Sequence, residues 1–551
     1  MSLLLLLAGA LQSLHGAVAS SEEQATAAAA TILEQGGNAV DAAIALHFAL
    51  AVTYPAAGNL GGGGFFLYRS AEGEAYFLDF RESAPAAAGR NLYRGADGKL
   101  RDQASETGWL AVAVPGAVPG MAEAHRRWAS MPWSDLIQPA LRLAREGFVV
   151  DESEAGNLAN NAEVLAKDPR AREVFFDKSG KRTLRSGEIC VQPRLAATLA
   201  AIASQGEEAL RRGPLVEEIL AASRAAGGIL TAADFADYRP ALRPVHRFAW
   251  RGREILAASP PSSGGIFLQQ TLTVLEAWSL AEWGRQDPRT VLLVAEASAA
   301  AFADRNRWLG DPAGLAAEAG SLTTAEYLAA RKAALDPARY TPPVGLAAPP
   351  ESKQTTHFSV TDGHGAAVAC TTTLNGGYGA RVMAPGGFLM NNEMDDFAVA
   401  PGIANQYGLV QGSANAIAPG HRPLSSMCPT IVVFEGRVEA VLGSPGGPTI
   451  LSSVLHVLLG RYVFGLSALE SVAAPRGHRQ DLPPELKYEA GFVTEASAAR
   501  LRELGQPLRE VAGLGDVNAI FRAGASWTAV ADPRHSGAAQ VVSNPVLSGR
   551  K

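Results

Sequence analysis

Residues 354–360 read Gln-Thr-Thr-His-Phe-Ser-Val and join two segments of different composition. The stretch before them, from Pro342 to Gln354, is rich in proline and typical of an extended, exposed linker. The stretch after them predicts a β-hairpin with strands over 357–362 and 366–374 and a Gly-His-Gly turn between them. A Thr-Thr-His run is usually structural, with the histidine buried in the core, so the junction alone assigns no chemistry.

Cleavage of the backbone before Thr355 would give this junction a chemical role, because the threonine would then have a free α-amine. An α-amine has an unperturbed pKa of about 8 and can take the proton from the hydroxyl of its own residue. A separate histidine base is then unnecessary. The junction therefore raises the hypothesis of an N-terminal threonine nucleophile beside the plain structural interpretation.

Composition narrows the classes of function. The chain has 551 residues, with 48 Lys+Arg and 54 Asp+Glu, and a formal net charge of −6. A slightly acidic chain without basic blocks argues against nucleic acid or an anionic membrane as partner. With 47% hydrophobic residues it can bury a large core, either as three or four domains of roughly 150 residues or as one large layered α/β system. The composition therefore favours an enzyme that acts on a small molecule.

The cysteines give no metal or disulfide signal. Cys190, Cys370 and Cys428 are odd in number and form neither a C-x-x-C motif nor a Cys/His spacing. We therefore expect neither a disulfide framework nor a zinc site.

The N-terminus carries an apolar run, Leu3 to Leu7, that resembles the end of a secretory signal but lacks a basic residue before it. We interpret residues 1–14 as a truncated export signal, and the alternative is a buried N-terminal strand or helix. Ser20 and Glu23 predict a helix-starting capping box, so the Ala17-Val18-Ala19 run before them is not taken as a cleavage site. The apolar run 39–52 is too short to span a bilayer and predicts a core helix.

Two clusters beyond the junction carry groups that a nucleophile site requires. A predicted strand ends in hydroxyls and an amide, in the run Thr371-Thr372-Thr373-Leu374-Asn375. An ordinary strand end can carry the same residue types. Residues 391–397 read Asn-Asn-Glu-Met-Asp-Asp-Phe, which also suits a solvated turn or a calcium loop; the spacing fits no EF-hand.

Three further features have both a structural and a functional interpretation. Ser425 and Ser426 lie between apolar neighbours and suit either helix capping or ligand binding. The loop 443–448, Gly-Ser-Pro-Gly-Gly-Pro, precedes a predicted helix and aims backbone N–H groups where an oxyanion can be stabilised, as does any tight strand-to-helix turn. Arg81 follows an apolar strand and suits either a surface ion pair or a two-pronged grip on a carboxylate.

In order and spacing, these features resemble the γ-glutamyltranspeptidases, which are N-terminal-nucleophile hydrolases. The resemblance covers nearly the whole chain and rests on joint occurrence rather than on any one motif. Its landmarks are Gly36–Ala43, the glycine loop Gly61–Gly64, Leu78–Glu82, Val114–Gly116, Gln354–Val360, Thr373–Gly377, Asn391–Phe397, Pro423–Met427, Gly443–Gly447 and Asp532–Arg534.

The resemblance implies an α+β fold, the four-layer αββα sandwich, built jointly by two chains cut from one precursor between Gln354 and Thr355. The large subunit would be residues 15–354 and the small subunit residues 355–551. Thr355 would attack a γ-glutamyl amide and pass the acyl group to water or to an amino-acid or peptide acceptor.

The same matching implies roles for the other site residues. Thr373 would hydrogen-bond the nucleophile, and the N–H groups of Gly446 and Gly447 would form the oxyanion hole. Tyr407, in a segment similar to the lid loop of some members, would cover the bound glutamyl group. The α-carboxylate of the substrate would be held by Arg81, Ser425 and Ser426. Its α-ammonium would be held by Asn375, Glu393 and Asp396.

We therefore expect a self-processing γ-glutamyltransferase and glutathione hydrolase that acts on a glutathione-like donor without metal or organic cofactor. We expect it in the periplasm or outside the cell if the signal is real, and otherwise in the cytoplasm. One alternative is a glutaryl or cephalosporin-type acylase, whose substrate lacks the α-ammonium. Asp396 and Glu393 argue against it, because an ammonium-binding acid left unpaired in an apolar site is costly. The other alternative is a catalytically silent binding protein, against which the intact Thr355, Thr373 and Arg81 argue.

Overall fold

The computed structural model describes residues 16–342, 355–400 and 403–542, without the side chains of 314–318. The predicted signal segment 1–14, most of the linker, Gln354 at the predicted cleavage site and the first residues of the predicted lid loop lie outside the described residues.

The strands of the described residues fall into two large and two small sheets. In chain order they are β1 Gly16–Ser20, β2 Gly63–Arg69, β3 Ala75–Asp79, β4 Phe148–Val149, β5 Ile189–Cys190, β6 Ala241–Arg243, β7 His246–Trp250, β8 Arg253–Ala257, β9 Thr356–Thr361, β10 Ala367–Thr373, β11 Thr430–Phe434, β12 Arg437–Gly443, β13 Gly477–His478, β14 Leu486–Glu489, β15 Leu508–Val511, β16 Asn518–Ala523, β17 Ser526–Val530 and β18 Ala538–Val542.

The helices lie mostly in the first two thirds of the chain. They are α1 Glu23–Glu34, α2 Ala39–Thr53, α3 Ala117–Trp128, α4 Trp133–Glu146, α5 Glu152–Asn160, α6 Ala162–Leu165, α7 Pro169–Phe175, α8 Pro193–Gln205, α9 Pro214–Ala225, α10 Ala232–Asp237, α11 Gly264–Leu275, α12 Leu280–Trp283, α13 Pro288–Trp308, α14 Pro312–Ser321, α15 Ala325–Ala334, α16 Thr449–Tyr462, α17 Ala468–Ala473 and α18 Glu495–Glu503.

A seven-stranded sheet in the order β18-β1-β9-β10-β2-β3-β6 forms one inner layer. Successive side chains of a strand point to opposite faces, and in β2 both faces are apolar. Phe66 and Tyr68 pack in the cluster formed with helices α1, α2, α4 and α8, whereas Phe65 and Leu67 pack in the cluster that contains the second large sheet. The sheet is thus buried between a helical layer and another sheet.

The second inner layer is a six-stranded sheet in the order β17-β16-β12-β11-β8-β7. Its strands share one apolar cluster with α11, α13 and α16. Small residues of the first sheet, such as Ala17, Ala19, Ala367 and Ala369, belong to this cluster and let the two sheets approach. The order helix, sheet, sheet, helix confirms the predicted four-layer αββα sandwich.

Both sheets mix strands from the two sides of the predicted cleavage site. In the first sheet β1 lies between β9 and β18, which pair with it along its length. In the second sheet β8 pairs with β11. The segments before and after residue 355 therefore share one core, and neither can complete its sheets alone.

The capping box expected at Ser20 and Glu23 is wrong. Ser20 is the last residue of β1, and Glu22 caps α1 by accepting from the backbone N–H groups of Gln24 and Ala25. Pairing with two long-range partner strands draws Gly16–Ser20 into the sheet, and short-range patterns do not report such pairing.

The other local predictions agree with the structure except in the middle of the chain. The hairpin β9–β10 forms as expected, and α2 is buried along its whole length. The apolar runs 431–434 and 437–442 around a Glu435-Gly436 turn also predict a hairpin, which forms as β11–β12. The segment 115–338 is rich in Ala, Leu and Arg with helical periodicity, which predicts a helical scaffold, but it also contains β4 to β8. Within the described residues, no helix is long and apolar enough to cross a membrane.

A buried carboxyl group in α5 gives the first testable prediction. Burial raises the pKa of Glu154 from 4.5 to about 8, although a hydrogen bond from Tyr378 opposes the shift. The folded state then holds this proton more tightly than the unfolded state, so the stability it contributes is complete below about pH 4.5 and is lost as pH rises through about 8.

We expect Glu154→Gln, which keeps an acceptor for Tyr378, to reduce the fall in melting temperature between about pH 5 and about pH 8. The exposed Glu152→Gln on the same helix serves as the control and should keep the full fall. Equal curves for wild type and Glu154→Gln would contradict the assignment.

Candidate active site

The site lies where several strands of the seven-stranded sheet end at one edge. Strands β9 and β10 are antiparallel with Thr356 opposite Thr372, so the same register places Thr355 opposite Thr373. The Oγ1 atoms of Thr355 and Thr373 are 3.2 Å apart. Strand β2 begins and β3 ends at the same edge, which brings Arg81, two residues beyond β3, to the same place.

The hydroxyl of Thr373 is fixed by the backbone that follows it. Its Oγ1 accepts the backbone N–H of Asn375 at 2.8 Å. Asn375 has φ 73°, in the left-handed region that asparagine tolerates better than most residues, and its side chain donates to the Asn392 carbonyl at 3.0 Å. The turn after β10 therefore orients Thr373 toward Thr355.

The glycine pair lies in the loop between β12 and α16. Gly446 and Gly447 have φ 125° and 56°, where a side chain is strained. A Cβ on Gly447 would stand 2.8 Å from the ring of Tyr407. Gly446 lines a cavity beside Thr355 and Gly447 lines another, so both expected oxyanion-hole residues lie next to the expected nucleophile.

Arg81 is buried with two of the acids assigned to substrate binding. Its guanidinium pairs with Glu393 through one terminal nitrogen and with Asp396 through the other. Its Nε donates to the Pro423 carbonyl at 3.3 Å. Both acids belong to a 3₁₀ helix, Glu393–Asp396, which follows β10 in the chain.

The pKa shifts of this group follow from burial and from the close charges. Burial alone would lower the pKa of Arg81, but the carboxylates of Glu393, Asp396 and Glu82 raise it. Burial raises the pKa of Glu393 well above its ordinary value and that of Glu82 to about 7, while Arg81 lowers both. Arg81 is thus charged at neutral pH, whereas burial makes the carboxyl groups of Glu393 and Glu82 harder to ionise than those of exposed glutamates.

We define the head-group cavity by Arg81, Thr355, Thr373, Asn375, Glu393, Asp396, Tyr407, Ser425, Ser426 and Gly447, which are among its lining residues. The structure therefore brings the predicted head-group residues to one place, next to the predicted nucleophile. The hydroxyl of Ser426 is buried there without a hydrogen-bond partner, whereas the Oγ of Ser425 accepts the N–H of Met427 at 3.1 Å. The cavity is small, with a volume of about 20 Å³.

Tyr407 lines this cavity beside Gly447 of the β12–α16 loop. Its hydroxyl donates to the Asn375 carbonyl at 2.7 Å, and its backbone N–H donates to the Asn405 side chain at 3.0 Å. The tyrosine is 3% exposed. The predicted lid residue thus covers the head-group cavity.

Thr355 also borders a second, larger space, which we call the distal cavity. Its volume is about 290 Å³, and its lining includes Tyr54, Thr355, Gly446, Asp516, Arg534 and His535. Gly446 lines this cavity, Gly447 lines the head-group cavity, and Thr355 lines both.

Sequence reasoning missed two charged residues of the head-group cluster. Glu82 is fully buried, 3.9 Å from Arg81, and neither of its carboxylate oxygens has a hydrogen-bond partner. Arg305, in α13, lines the cavity, and burial lowers its pKa to about 10 while Asp396 opposes the shift. The run Asp304-Arg305-Asn306 within a largely apolar helix was the available signal, because three consecutive polar residues cannot all face solvent.

Other polar groups near the nucleophile have structural partners. His357 is buried, its Nδ1 lies 2.8 Å from the Thr371 hydroxyl, and burial lowers its pKa to about 3. Among the described residues, no group of three His, Cys, Asp or Glu is arranged to hold a metal ion. A reaction without metal or organic cofactor stays a prediction.

The chain is similar in sequence and in fold to known proteins. The glutathione hydrolase proenzyme of Escherichia coli (strain K12) is 40% identical over 513 residues, 92% of this chain and 88% of its own length. The acylase ACY 1 proenzyme of Pseudomonas sp. (strain SE83) is 36% identical over 514 residues, 92% of this chain and 89% of its own. The crystal structure of cephalosporin acylase from Bacillus halodurans has a TM-score of 0.84 and 24% identity, with 96% of each chain covered, a likeness that shows the fold.

The αββα sandwich places Thr355 directly before the inner strand β9. The gamma-glutamyltranspeptidase family profile matches residues 25–542. The chain belongs to the γ-glutamyltranspeptidase family.

Proposed function

We propose that this protein is a self-processing γ-glutamyltransferase and glutathione hydrolase with Thr355 as its nucleophile. The proposal rests on the contact between the hydroxyls of Thr355 and Thr373, which lie beside a buried cluster of one arginine and two carboxylates. Such a cluster complements a head group that carries both an ammonium and a carboxylate.

The head group of a γ-glutamyl substrate replaces contacts that the cluster makes within itself. In this structure Arg81 is neutralised by Glu393 and Asp396. An incoming α-carboxylate binds Arg81 and the unpartnered hydroxyl of Ser426, and the α-ammonium binds the two acids, with Asn375 and Ser425 completing the contacts. Each buried charge keeps a partner of opposite sign, which avoids the cost of a buried unpaired ion.

The chemistry then uses groups already near Thr355. After cleavage the α-amine of Thr355 takes the proton from its own Oγ1, and Oγ1 attacks the γ-carbonyl carbon. The N–H groups of Gly446 and Gly447 hold the oxyanion, and Thr373 orients the hydroxyl. The proton passes to the departing amine as the C–N bond breaks, and the γ-glutamyl ester is later attacked by water or by an acceptor amine.

The proteolytic step itself also fits the topology. Because strands from both sides of residue 355 share the two sheets, a cut there leaves a heterodimer of large and small subunits held by one core. We propose residues 15–354 and 355–551 as those subunits, with export to the periplasm or the exterior as the localisation.

A glutaryl or cephalosporin-type acylase is the second candidate, favoured by the identity to the acylase ACY 1 proenzyme. Its acyl group has a carboxylate but no ammonium, so Glu393 and Asp396 would keep Arg81 between them and compete with the substrate. The acid cluster therefore favours the γ-glutamyl head. A catalytically silent binding protein would not explain why the hydroxyls of Thr355 and Thr373 are aligned.

The experiment that tests the function compares glutathione with a glutaryl amide as substrates of the purified protein. We expect release of glutamate from glutathione and much slower release of glutarate. A protein that processes the glutaryl amide faster would support the acylase, and a protein that cleaves neither would overturn the proposal.

Arg81→Lys tests the carboxylate contact. An ammonium cannot reproduce the planar, two-pronged contact of a guanidinium, so we expect KM for γ-glutamyl substrates to rise at least about tenfold. Cleavage at residue 355 should survive. Steady-state kinetics on a γ-glutamyl anilide measures the change.

Arg243→Lys is the matched control, because Arg243 pairs with Asp79 outside the cavity. It should leave KM unchanged. An unaltered KM in processed Arg81→Lys protein would remove Arg81 from the substrate site.

A further inference from the structure

Arg305 is a second buried guanidinium at the head-group cavity, beside the paired Arg81. The residue is 2% exposed and lines the cavity together with Asp396. Its hydrogen bonds reach neutral groups only, from Nε to the Ser263 hydroxyl at 3.3 Å and from a terminal nitrogen to the Asn306 side-chain oxygen at 2.9 Å. Among the described residues, no carboxylate forms an ion pair with it.

This cation is kept at a cost to stability. A buried charge without a close partner of opposite sign destabilises a folded protein. Burial lowers the pKa of Arg305 to about 10, and the carboxylates of Asp396 and Asp481, which form no ion pair with it, oppose the shift. The group is therefore still charged at neutral pH. A positive charge without a close counter-ion in the described part of the chain thus stands at the edge of the cavity.

The guanidinium is held against the segment that carries Ser425 and Ser426. The Ser263 hydroxyl, which accepts from Nε of Arg305, donates to the Ser425 carbonyl at 2.9 Å. The backbone N–H of Ser263 donates to the same oxygen at 2.9 Å, and the Ser425 N–H donates to the Pro261 carbonyl at 2.8 Å. These bonds keep the positive charge of Arg305 beside the serines proposed to bind the α-carboxylate.

The charges of the occupied cavity balance only when Arg305 is counted. A γ-glutamyl head brings one carboxylate and one ammonium. The carboxylate joins Glu393 and Asp396 on the negative side, and the ammonium joins Arg81 on the positive side. Without Arg305 the carboxylates outnumber the cations, and any ionisation of Glu82 increases the excess. Arg305 supplies the missing positive charge.

We propose that Arg305 is a positioning residue whose charge balances the α-carboxylate of the substrate head, while Arg81 and Ser426 make the direct contacts. The inference rests on the proposed function and adds a residue that sets the affinity for the head group. The charge of Arg305 acts on the head group and not on the reacting carbonyl. Its loss therefore weakens the binding of substrate and transition state alike, which raises KM and leaves kcat nearly unchanged.

Arg305→Gln and Arg305→Lys separate charge from shape, because only lysine keeps the positive charge, whereas both lose the planar guanidinium. We expect Arg305→Gln to raise KM for a γ-glutamyl anilide about tenfold, with kcat within about twofold of wild type. Arg305→Lys should stay within about threefold of the wild-type KM. Steady-state kinetics measures both variants, on protein that a denaturing gel shows to be cut at residue 355.

Arg307→Gln is the matched control, because Arg307 lies in the same helix and is exposed, with its guanidinium carbon 4.5 Å from the centre of the Trp308 ring. It should keep the wild-type KM. An unchanged KM in cut Arg305→Gln would overturn the inference alone. Equal rises of KM in Arg305→Gln and Arg305→Lys would do the same, since shape and not charge would then matter.

Arg305→Met keeps the aliphatic part of the side chain and is the second neutral variant if Arg305→Gln does not fold. It should show the same rise in KM. If neither neutral variant folds, Arg305 is required for the fold rather than for the head group, and the inference is overturned. Wild type without γ-glutamyl hydrolysis would overturn the proposed function and the inference with it.

Discussion

Thr355→Ala is expected to remain one uncut chain and to lose γ-glutamyl hydrolysis by about 10⁴-fold or more, the scale seen when a covalent nucleophile is removed. The variant lacks both the hydroxyl that cuts the backbone and the hydroxyl that attacks the substrate. A denaturing gel and an assay with a γ-glutamyl anilide measure the two effects on the same preparation.

Thr356→Ala is the matched control, because this neighbouring threonine is also buried but its hydroxyl faces Ser21 at 3.4 Å instead of Thr373. It should be cut and active. Full-length wild type that nevertheless hydrolyses γ-glutamyl amides would show that the N-terminal amine is not the base.

Asp396→Asn should separate the two enzymatic candidates, because only the γ-glutamyl head brings an ammonium to this carboxylate. Loss of one partner of a buried charge pair costs about 3–5 kcal/mol, so kcat/KM for γ-glutamyl substrates should fall by roughly two orders of magnitude or more. Activity on glutaryl amides should be spared or improved, since the variant frees Arg81 from one competing acid.

Asp395→Asn offers a close control. Asp395 is buried in the same 3₁₀ helix but accepts from Ser105 at 2.7 Å and from the Gln406 backbone at 3.0 Å, away from Arg81. It should keep the ratio of the two activities. Equal losses on both substrates in Asp396→Asn would mean that Asp396 holds structure rather than substrate.

The parts of the fold that sequence predicts are those whose signals are local. The hairpins β9–β10 and β11–β12 have alternating or apolar strands around short turns. The loop 443–448 before α16 is recognisable by its glycines and prolines. Strand β1 was missed because it forms only by pairing with β9 and with β18, more than 500 residues away in the chain.

The candidate site shows the same division. Residues in recognisable clusters, such as Thr373 and Asp396, were predicted because their neighbours carry a pattern. Glu82, in the loop after β3, and Arg305, in α13, were missed because a charged residue in a loop or a helix has a surface interpretation until its burial is known.

The central claim is that Thr355, as an N-terminal residue, carries the acyl group. Wild-type protein can be mixed with a γ-glutamyl donor, quenched in acid and analysed by mass spectrometry of its separated chains and their peptides. We predict a small chain that begins Thr-Thr-His-Phe and carries one γ-glutamyl group on Thr355. An acyl group on another residue, or on an uncut chain, would contradict the account.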